Sequence, residues 1–196
     1  MRVLTIYCHP RPDSFCAALR DAAMETLTSI GHSIELRDLY AEGFDPVLSA
    51  YQRDVYFDSE PEAMRGLEDH VAALRQAEAL LLVYPTWWLG MPAMLKGWFD
   101  RVWLPGVAFR LGGPKILEPL LTDIRWIGVI TTYGSPWWLL WWAGWPDRRV
   151  IRRGIRPLCS PHCRIHFLGL TAMDADDPTR RRRFLAKVRR RLSAWR

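Results

Sequence analysis

Five short apolar runs recur along this chain, and segments with helical periodicity separate most of them. Such alternation of strand and helix predicts a parallel sheet with helices on both faces. The runs are apolar almost without interruption, as expected where both faces of each strand are covered. We therefore expect an α/β, doubly wound sheet in a single domain spanning residues 1–196. Its strands are expected over residues 2–7, 33–39, 79–84, 124–130 and 163–170.

Apolar residues at helical spacing mark the helices. The first helix is expected to begin near Phe15, with Asp13 or Ser14 as its N-cap and Gly31 as its stop signal. Residues 40–60 show no clear period and form a long excursion, a feature that is often functional in compact domains. The other helices are expected over residues 64–74, 91–102 and 178–195.

The net charge of +6 is unevenly distributed. Nine of the 27 basic residues lie in residues 178–196, and elsewhere 18 basic residues face 21 acidic ones, a net charge of −3. A basic tail is typical of nucleic-acid or anionic-membrane binding. However, Phe184, Val188, Leu192 and Trp195 share one helical face, which favours an amphipathic closing helix with a solvated arginine-rich side. We expect no nucleic-acid partner and at most a peripheral membrane contact.

Residues 126–146 form an uncharged run of 21 residues, long enough to cross a membrane. The run contains a polar, turn-forming cluster at residues 131–136, followed by five tryptophans, which prefer membrane interfaces to the hydrocarbon centre. A buried strand followed by an aromatic loop is therefore the prediction, in place of a membrane span.

The four cysteines do not form a disulfide framework in a chain of this length. The first residues lead directly into a strand, with no signal-peptide core, so a cytoplasmic location is expected. Cys159, His162, Cys163 and His166 have the spacing of zinc ligands. A strand over residues 163–170 would point Cys163 and His166 to opposite faces, and we predict no metal site.

Three unusual loops follow strands one, three and four, whose carboxyl ends meet at one edge of the sheet, where doubly wound folds bind ligands. The first loop, residues 9–15, ends at a helix N-terminus that suits a phosphate, with Ser14, His9 and Arg11 nearby. A helix start capped by Ser14 and fixed by two prolines explains the same residues without a ligand. Glycine-rich dinucleotide and P-loop fingerprints are absent, which argues against a Rossmann dehydrogenase and a P-loop NTPase.

The second and third loops could form the wall of a pocket for a flat ring. Residues 85–90 contain two tryptophans beside a glycine, and residues 131–136 offer hydroxyl groups. A helix-entry packing cluster and an ordinary turn are the alternatives.

These motifs resemble those of the flavodoxin-like NAD(P)H:quinone oxidoreductase family. The resemblance rests on His9-Pro10 with Ser14-Phe15, on Asp38-Leu39-Tyr40, on Phe44-Asp45-Pro46, on the specific block at residues 85–102 and on Thr131-Thr132-Tyr133-Gly134. It implies a flavodoxin-like five-stranded sheet with strand order 2-1-3-4-5.

The resemblance also implies a homodimer in which each active site holds a flavin and borrows wall residues from the partner subunit. The pyrophosphate and ribityl chain would be lined by His9, Ser14, Phe15 and Cys16. The isoalloxazine ring would be lined by Pro85, Thr86, Trp87, Trp88 and Leu89. Its pyrimidine edge would be lined by Thr131, Thr132, Tyr133 and Gly134.

The implied activity is ping-pong hydride transfer from NAD(P)H through the flavin to a quinone or similar aromatic acceptor. FAD is the expected cofactor, because the excursion at residues 40–60 resembles that of FAD-using members, and FMN is the alternative. A weakly active or inactive regulatory subunit acting on a transporter or membrane partner is the alternative function.

The chain departs from the family pattern at two places. Cys16 replaces a common asparagine, and the tyrosine and histidine that balance charge in well-studied members are missing from residues 135–145. Tyr133 stands close to that segment and is the catalytic candidate. The tryptophans of the segment are interpreted as an apolar lid or a dimer-interface wall that selects a flat acceptor, or as interface packing alone.

Overall fold

The computed structural model describes residues 1–57, 60–111, 117–174 and 177–195 of the chain. Its centre is a parallel sheet of five strands in the order β2-β1-β3-β6-β7, which confirms the predicted doubly wound topology. A separate antiparallel pair, β4 with β5, was not predicted. The strands are β1 (Arg2–Tyr7), β2 (Ser33–Asp38), β3 (Ala79–Thr86), β4 (Phe109–Arg110), β5 (Glu118–Pro119), β6 (Trp126–Tyr133) and β7 (Arg164–Leu170).

Helices cover both faces of the sheet and fill the long connections. They are α1 (Phe15–Ser29), α2 (Ala50–Asp54), α3 (Glu60–Ala63), α4 (Glu68–Gln76), α5 (Ala93–Val102), α6 (Trp137–Trp142), α7 (Pro146–Arg149) and α8 (Pro178–Leu192). A π-helix at Val150–Ile155 and a 3-10 turn at Arg156–Leu158 continue α7. Within the excursion at residues 40–60, the structure forms α2, while residues 58 and 59 lie outside the described part.

The helix predicted over residues 64–74 begins later than expected, because the structure ends the short helix α3 at Ala63 and starts α4 at Glu68. Gly66 lies between the two helices at φ +74°, a left-handed backbone conformation that a helix interior does not contain. The first helix matches its prediction: the Ser14 hydroxyl accepts a hydrogen bond from the backbone N–H of Ala17 at 3.1 Å, and Gly31 follows the end at φ +89°.

The core lies on both sides of the sheet, because β1, β3 and β6 are buried almost completely. Trp98 on α5 fills one side, and α1 with α8 covers the other. Trp195, just beyond α8, stacks on Trp126 with ring centroids 5.5 Å apart and donates a hydrogen bond to His166 Nδ1 at 3.2 Å. The predicted amphipathic helix is confirmed, since its apolar stripe is buried: Phe184, Val188, Leu192 and Trp195.

Cys163 and His166 lie on opposite sides of the sheet, as the strand geometry predicted. Cys159 and Cys163 pack in the core on the side of Trp98. His166 contacts Trp126 on the other side, at 5.0 Å between ring centroids.

The uncharged run at residues 126–146 divides into β6 and α6. The predicted strand is confirmed, but the predicted aromatic loop is wrong, because residues 137–142 close one and a half helical turns with Leu140 buried against the core. Among the described residues, every helix falls short of the length and apolar character that a membrane crossing requires.

Asp147 is the first charged residue after this run, and its carboxylate is buried at the start of α7. The Tyr133 hydroxyl at the end of β6 donates a hydrogen bond to Asp147 Oδ2 at 2.7 Å. The bond ties the segment after α6 back to the sheet. Burial raises the pKa of Asp147, although the hydrogen bond from Tyr133 acts against the shift.

We expect Asp147→Asn to flatten the pH dependence of stability. A carboxyl group with a raised pKa binds its proton more tightly in the folded protein, so the free energy of unfolding falls as pH rises above the ordinary carboxyl range. Asparagine keeps an acceptor for Tyr133 but cannot ionise. Urea unfolding of both proteins across the acidic to neutral range measures this slope, and identical slopes would contradict the assignment.

Candidate active site

A cavity of about 900 Å³ opens at the carboxyl edge of the sheet, between the loops that follow β3, β6 and β7. Its size falls within the range of cofactor and small-molecule pockets. Eight of the predicted site residues line it: Pro85, Thr86, Trp87, Trp88, Leu89, Thr132, Tyr133 and Gly134. The two loops that the sequence predicted to form the wall of a pocket, after β3 and after β6, therefore line the same cavity.

A tight turn at Trp88 and Leu89 forms one wall of the cavity. Trp87 and Gly90 exchange two backbone hydrogen bonds, at 3.1 and 3.0 Å, and the two residues between them have φ of +50° and +62°. This is the hairpin geometry that glycine and asparagine normally supply. Bulky residues in the left-handed region cost about 1–3 kcal/mol each, and such strain concentrates at ligand sites.

Packing of the Trp88 side chain does not explain this strain, because the side chain is fully exposed, at 102% of its reference area. Trp87 is 44% exposed. Two large aromatic rings at a pocket rim, held by a strained turn, form a surface on which a flat conjugated ring can stack.

The N-terminus of α1 lies beside the cavity. Its first backbone N–H groups, at Phe15 and Cys16, have no carbonyl one turn earlier to bond, and its first turn carries no acidic residue. The Cys16 thiol lies 3.6 Å from Thr132 Oγ1, which joins the helix start to the cavity wall. Burial raises the pKa of Cys16 to about 11, so this thiol is protonated at neutral pH.

Ser14 and His9 flank this helix start. The Ser14 hydroxyl lies 3.2 Å from the Tyr7 hydroxyl in addition to capping α1. His9 Nδ1 lies 3.0 Å from the backbone nitrogen of Arg11 and 3.2 Å from its carbonyl oxygen, and burial lowers the pKa of His9. Arg11 itself pairs with Asp13 at 2.8 Å on the surface, with both side chains mostly exposed.

Thr131 lies one residue below the cavity lining. Its hydroxyl is 2.9 Å from that of Thr86, so the two threonines link the ends of the adjacent strands β6 and β3. Cys16 and Thr131 thus contact residues of the cavity wall, His9, Ser14 and Phe15 belong to the segment at the start of α1 outside the lining, and the other predicted residues line the cavity.

Tyr133 lines the cavity, but its hydroxyl proton is directed to Asp147. Burial, followed by the neighbouring Asp147, raises the pKa of Tyr133 above its usual range. The phenol therefore stays protonated across the physiological range.

Ser135, from the predicted loop at residues 131–136, also lines the cavity, and four further lining residues were not predicted: Leu139, Leu140, Met173 and Asp174. Met173 and Asp174 belong to the loop after β7. The backbone N–H of Met173 donates a hydrogen bond to the carbonyl oxygen of Tyr133, the last residue of β6, at 2.9 Å. Gly134 permits this approach, because a Cβ there would lie 2.6 Å from Asp174 Oδ2. The strand-end rule that identified the other loops applies equally to the loop after β7 and would have found these two residues.

Comparison with known proteins agrees with this geometry. A family model described as a flavodoxin-like fold matches residues 1–158. A ribosyldihydronicotinamide dehydrogenase-like protein of Penicillium crustosum is 33% identical over 155 residues, which cover 68% of this chain and 58% of that protein. This chain therefore spans less than two thirds of the length of that relative.

Two solved structures cover nearly the whole chain. Smu.1420 from Streptococcus mutans superimposes with a TM-score of 0.82 at 29% identity, covering 98% of this chain and 99% of that one. An NAD(P)H:quinone oxidoreductase from Methanothermobacter marburgensis superimposes with a TM-score of 0.76 at 30% identity, covering 98% and 96%. From its family match, its fold and its strand-end site, this chain belongs to the flavodoxin-like NAD(P)H:quinone oxidoreductase family.

Proposed function

We propose that this protein is a flavin-dependent NAD(P)H oxidoreductase that reduces a quinone or similar aromatic acceptor. The observation that carries the proposal is the 900 Å³ cavity walled by the strained turn at Trp88 and Leu89. The names of its relatives point the same way, since they include NAD(P)H oxidoreductases and quinone dehydrogenases.

The residues present fit a flavin. Trp87, Trp88 and Leu89 offer an apolar wall for the ring system, and Thr132 with the backbone of Gly134 offers polar groups at its edge. The phosphates would lie at the N-terminus of α1, where Ser14, the first backbone N–H groups of the helix and the His9 ring can donate hydrogen bonds.

A bound flavin would supply the redox chemistry, taking a hydride from NAD(P)H and passing it to the acceptor in a ping-pong sequence. The contribution of the chain is to orient the reactants and exclude water. The wall of Trp87 and Trp88 favours a flat, apolar acceptor. We propose Tyr133 as the charge-balancing residue, because it lines the cavity and its phenol is protonated; its hydroxyl would have to turn from Asp147 to donate a hydrogen bond to the flavin.

FAD is our proposed cofactor and FMN the alternative, and a homodimer is the proposed assembly. Identifying the flavin released from the purified protein by chromatography distinguishes the two cofactors. Sedimentation analysis gives the assembly state.

The activity is tested by the absorbance spectrum of the protein supplied with FAD or FMN, followed by NADPH or NADH without oxygen. We expect bound flavin bands that bleach when the nicotinamide is added and return when a quinone follows. Bands that persist with both nicotinamides would overturn the enzyme proposal in favour of a regulatory flavoprotein. Failure to bind either flavin would overturn the cofactor assignment as well.

Trp88→Ala should weaken flavin binding by roughly tenfold, because it removes a stacking surface from the ring. The fold should be unaffected, since the side chain is fully exposed. Flavin titration measures the affinity, and Trp142→Ala, also exposed but outside the cavity lining, is the matched control. An unchanged affinity in Trp88→Ala would exclude this residue from the site.

Ser14→Asp should expel the cofactor, because it places a carboxylate against the phosphates at the helix start. Aspartate is as good an N-cap as serine, so α1 should remain intact. Ser14→Asn is the neutral control with equal capping strength. The ratio of flavin to protein after gel filtration is the measurement, and full occupancy in Ser14→Asp would refute the phosphate position.

A further inference from the structure

The outer edge of β7 is a sheet edge to which no strand is added in the described part of the chain. β7 is the last strand of the parallel sheet and pairs there with β6 alone. The backbone N–H of Arg164 donates to the carbonyl oxygen of Arg125 at 3.0 Å, on the inner side of the strand. Because successive residues of a strand direct their backbone groups to opposite sides, those of Ile165 and Phe167 point outward. Both residues are partly exposed, whereas β6 is buried throughout.

Arginines lie beside this edge on the face of the sheet that carries Phe167. The guanidinium carbon of Arg152 is 5.4 Å from the centre of the Phe167 ring. Arg156 Nε donates a hydrogen bond to the carbonyl oxygen of Cys163, immediately before β7, at 3.1 Å. Arg152 is exposed and Arg156 is half-buried, so both charges reach solvent along the strand.

Two more arginines lie on the opposite face of the sheet. The guanidinium carbon of Arg164 is 5.2 Å from the centre of the Trp126 ring. Burial and the nearby charges of Arg191 and Arg164 lower the pKa of His166, which places both guanidinium groups near the middle of β7. Arg164 and Arg191 are exposed. The four residues that flank the strand are here called the edge arginines: Arg152, Arg156, Arg164 and Arg191.

Few carboxylates balance this charge. Residues 148–196 contain 15 basic and 3 acidic residues, a net charge of +12, whereas residues 1–147 have a net charge of −6. Residues 148–173 contain no aspartate or glutamate. Within the described ranges, none of the edge arginines forms an ion pair with a carboxylate. The edge of β7 is therefore strongly positive.

We propose that the β7 edge binds an acidic, extended segment of a partner protein, which adds to the sheet as a further strand. In strand addition, main-chain hydrogen bonds along the edge give affinity, and the side chains of the added segment give specificity. Alternate side chains of that segment point to opposite faces of the sheet, and the edge arginines lie on both faces. Carboxylates on one side would meet Arg152 or Arg156, and those on the other would meet Arg164 or Arg191.

The arrangement favours an acidic strand over other anionic partners. A flat bilayer surface would reach the arginines of one face of the sheet only. Phosphates of a nucleic acid accept hydrogen bonds but cannot donate to the outward carbonyl groups of Ile165 and Phe167. A second copy pairing through its own β7 would bring like charges together, which is how natural sheets prevent edge-to-edge association. An acidic strand satisfies the backbone groups and the guanidinium groups together.

The test measures binding of a fluorescein-labelled peptide to the full chain by fluorescence anisotropy. The peptide repeats two glutamates and one threonine over about six residues, the length of an ordinary strand, so that glutamates occupy both of its faces. We expect binding that weakens at high NaCl, because exposed charges are screened. The same peptide with every backbone nitrogen methylated keeps its charges but cannot donate to the edge, and should bind at least about tenfold more weakly. Equal affinity of the two peptides would overturn strand addition.

Two double variants test the position of the site. Arg152→Gln with Arg164→Gln removes one edge arginine from each face and should weaken binding by roughly fivefold. Arg53→Gln with Arg65→Gln is the matched control, because it removes two exposed arginines that lie outside the β7 edge, one on α2 and one after α3. The control should bind like the wild type. Equal losses in the two double variants would overturn the position.

Amide hydrogen exchange with and without the peptide provides a direct readout at the strand. The backbone N–H groups of Ile165 and Phe167 should exchange more slowly in the complex, and unchanged exchange at both would contradict the proposal. A thymidine oligonucleotide or phosphatidylglycerol vesicles might be expected to compete; tighter binding of either one, lost in Arg152→Gln with Arg164→Gln, would overturn the proposal and assign the edge to phosphate groups. The outcome is separate from that of the proposed activity, because peptide binding requires neither flavin nor turnover.

Discussion

Parallel pairing of β3 with both β1 and β6 is the constraint on which the site depends. Val83 is paired with Tyr7 on one side and with Ile130 on the other, so the three strands run in step to the same edge. The loops that follow the three strands therefore all begin at that edge. Three segments that are far apart in sequence therefore converge at this edge: the start of α1, the turn after β3 and the loop after β6. They need no contacts of their own to bring them together.

The turn at Trp88 and Leu89 depends on this frame. Its left-handed residues are unfavourable in isolation, and two backbone hydrogen bonds between Trp87 and Gly90 do not by themselves offset that strain. The turn persists because β3 before it and α5 after it are buried, with Leu95 and Trp98 completely inaccessible to solvent. The buried packing of β3 and α5 thus holds Trp88 exposed at a position where a flat ring can stack on it.

A second set of contacts stabilises the opposite side of the cavity. The hydrogen bond from Tyr133 to Asp147 connects the end of β6 to the segment after α6, and buried Leu140 secures the helix between them. These contacts hold the exposed tryptophans of α6 outward next to the cavity. The same tyrosine therefore belongs to the wall of the site and to the anchor of its neighbouring surface.

The sequence by itself determined the doubly wound sheet and most of the cavity wall, because continuous apolar runs and strand-end loops follow rules of short range, whereas the strand order came from the family resemblance. It also determined the closing helix, since Phe184, Val188, Leu192 and Trp195 repeat at helical spacing. Only the tertiary structure decided that Asp147 bonds Tyr133 and that Met173 and Asp174 close the cavity. Contacts of this kind depend on where separate loops meet in space, which no local pattern records. The same holds for α6: its six apolar residues carry no helical alternation, and burial of Leu140 against the core selects which side faces outward.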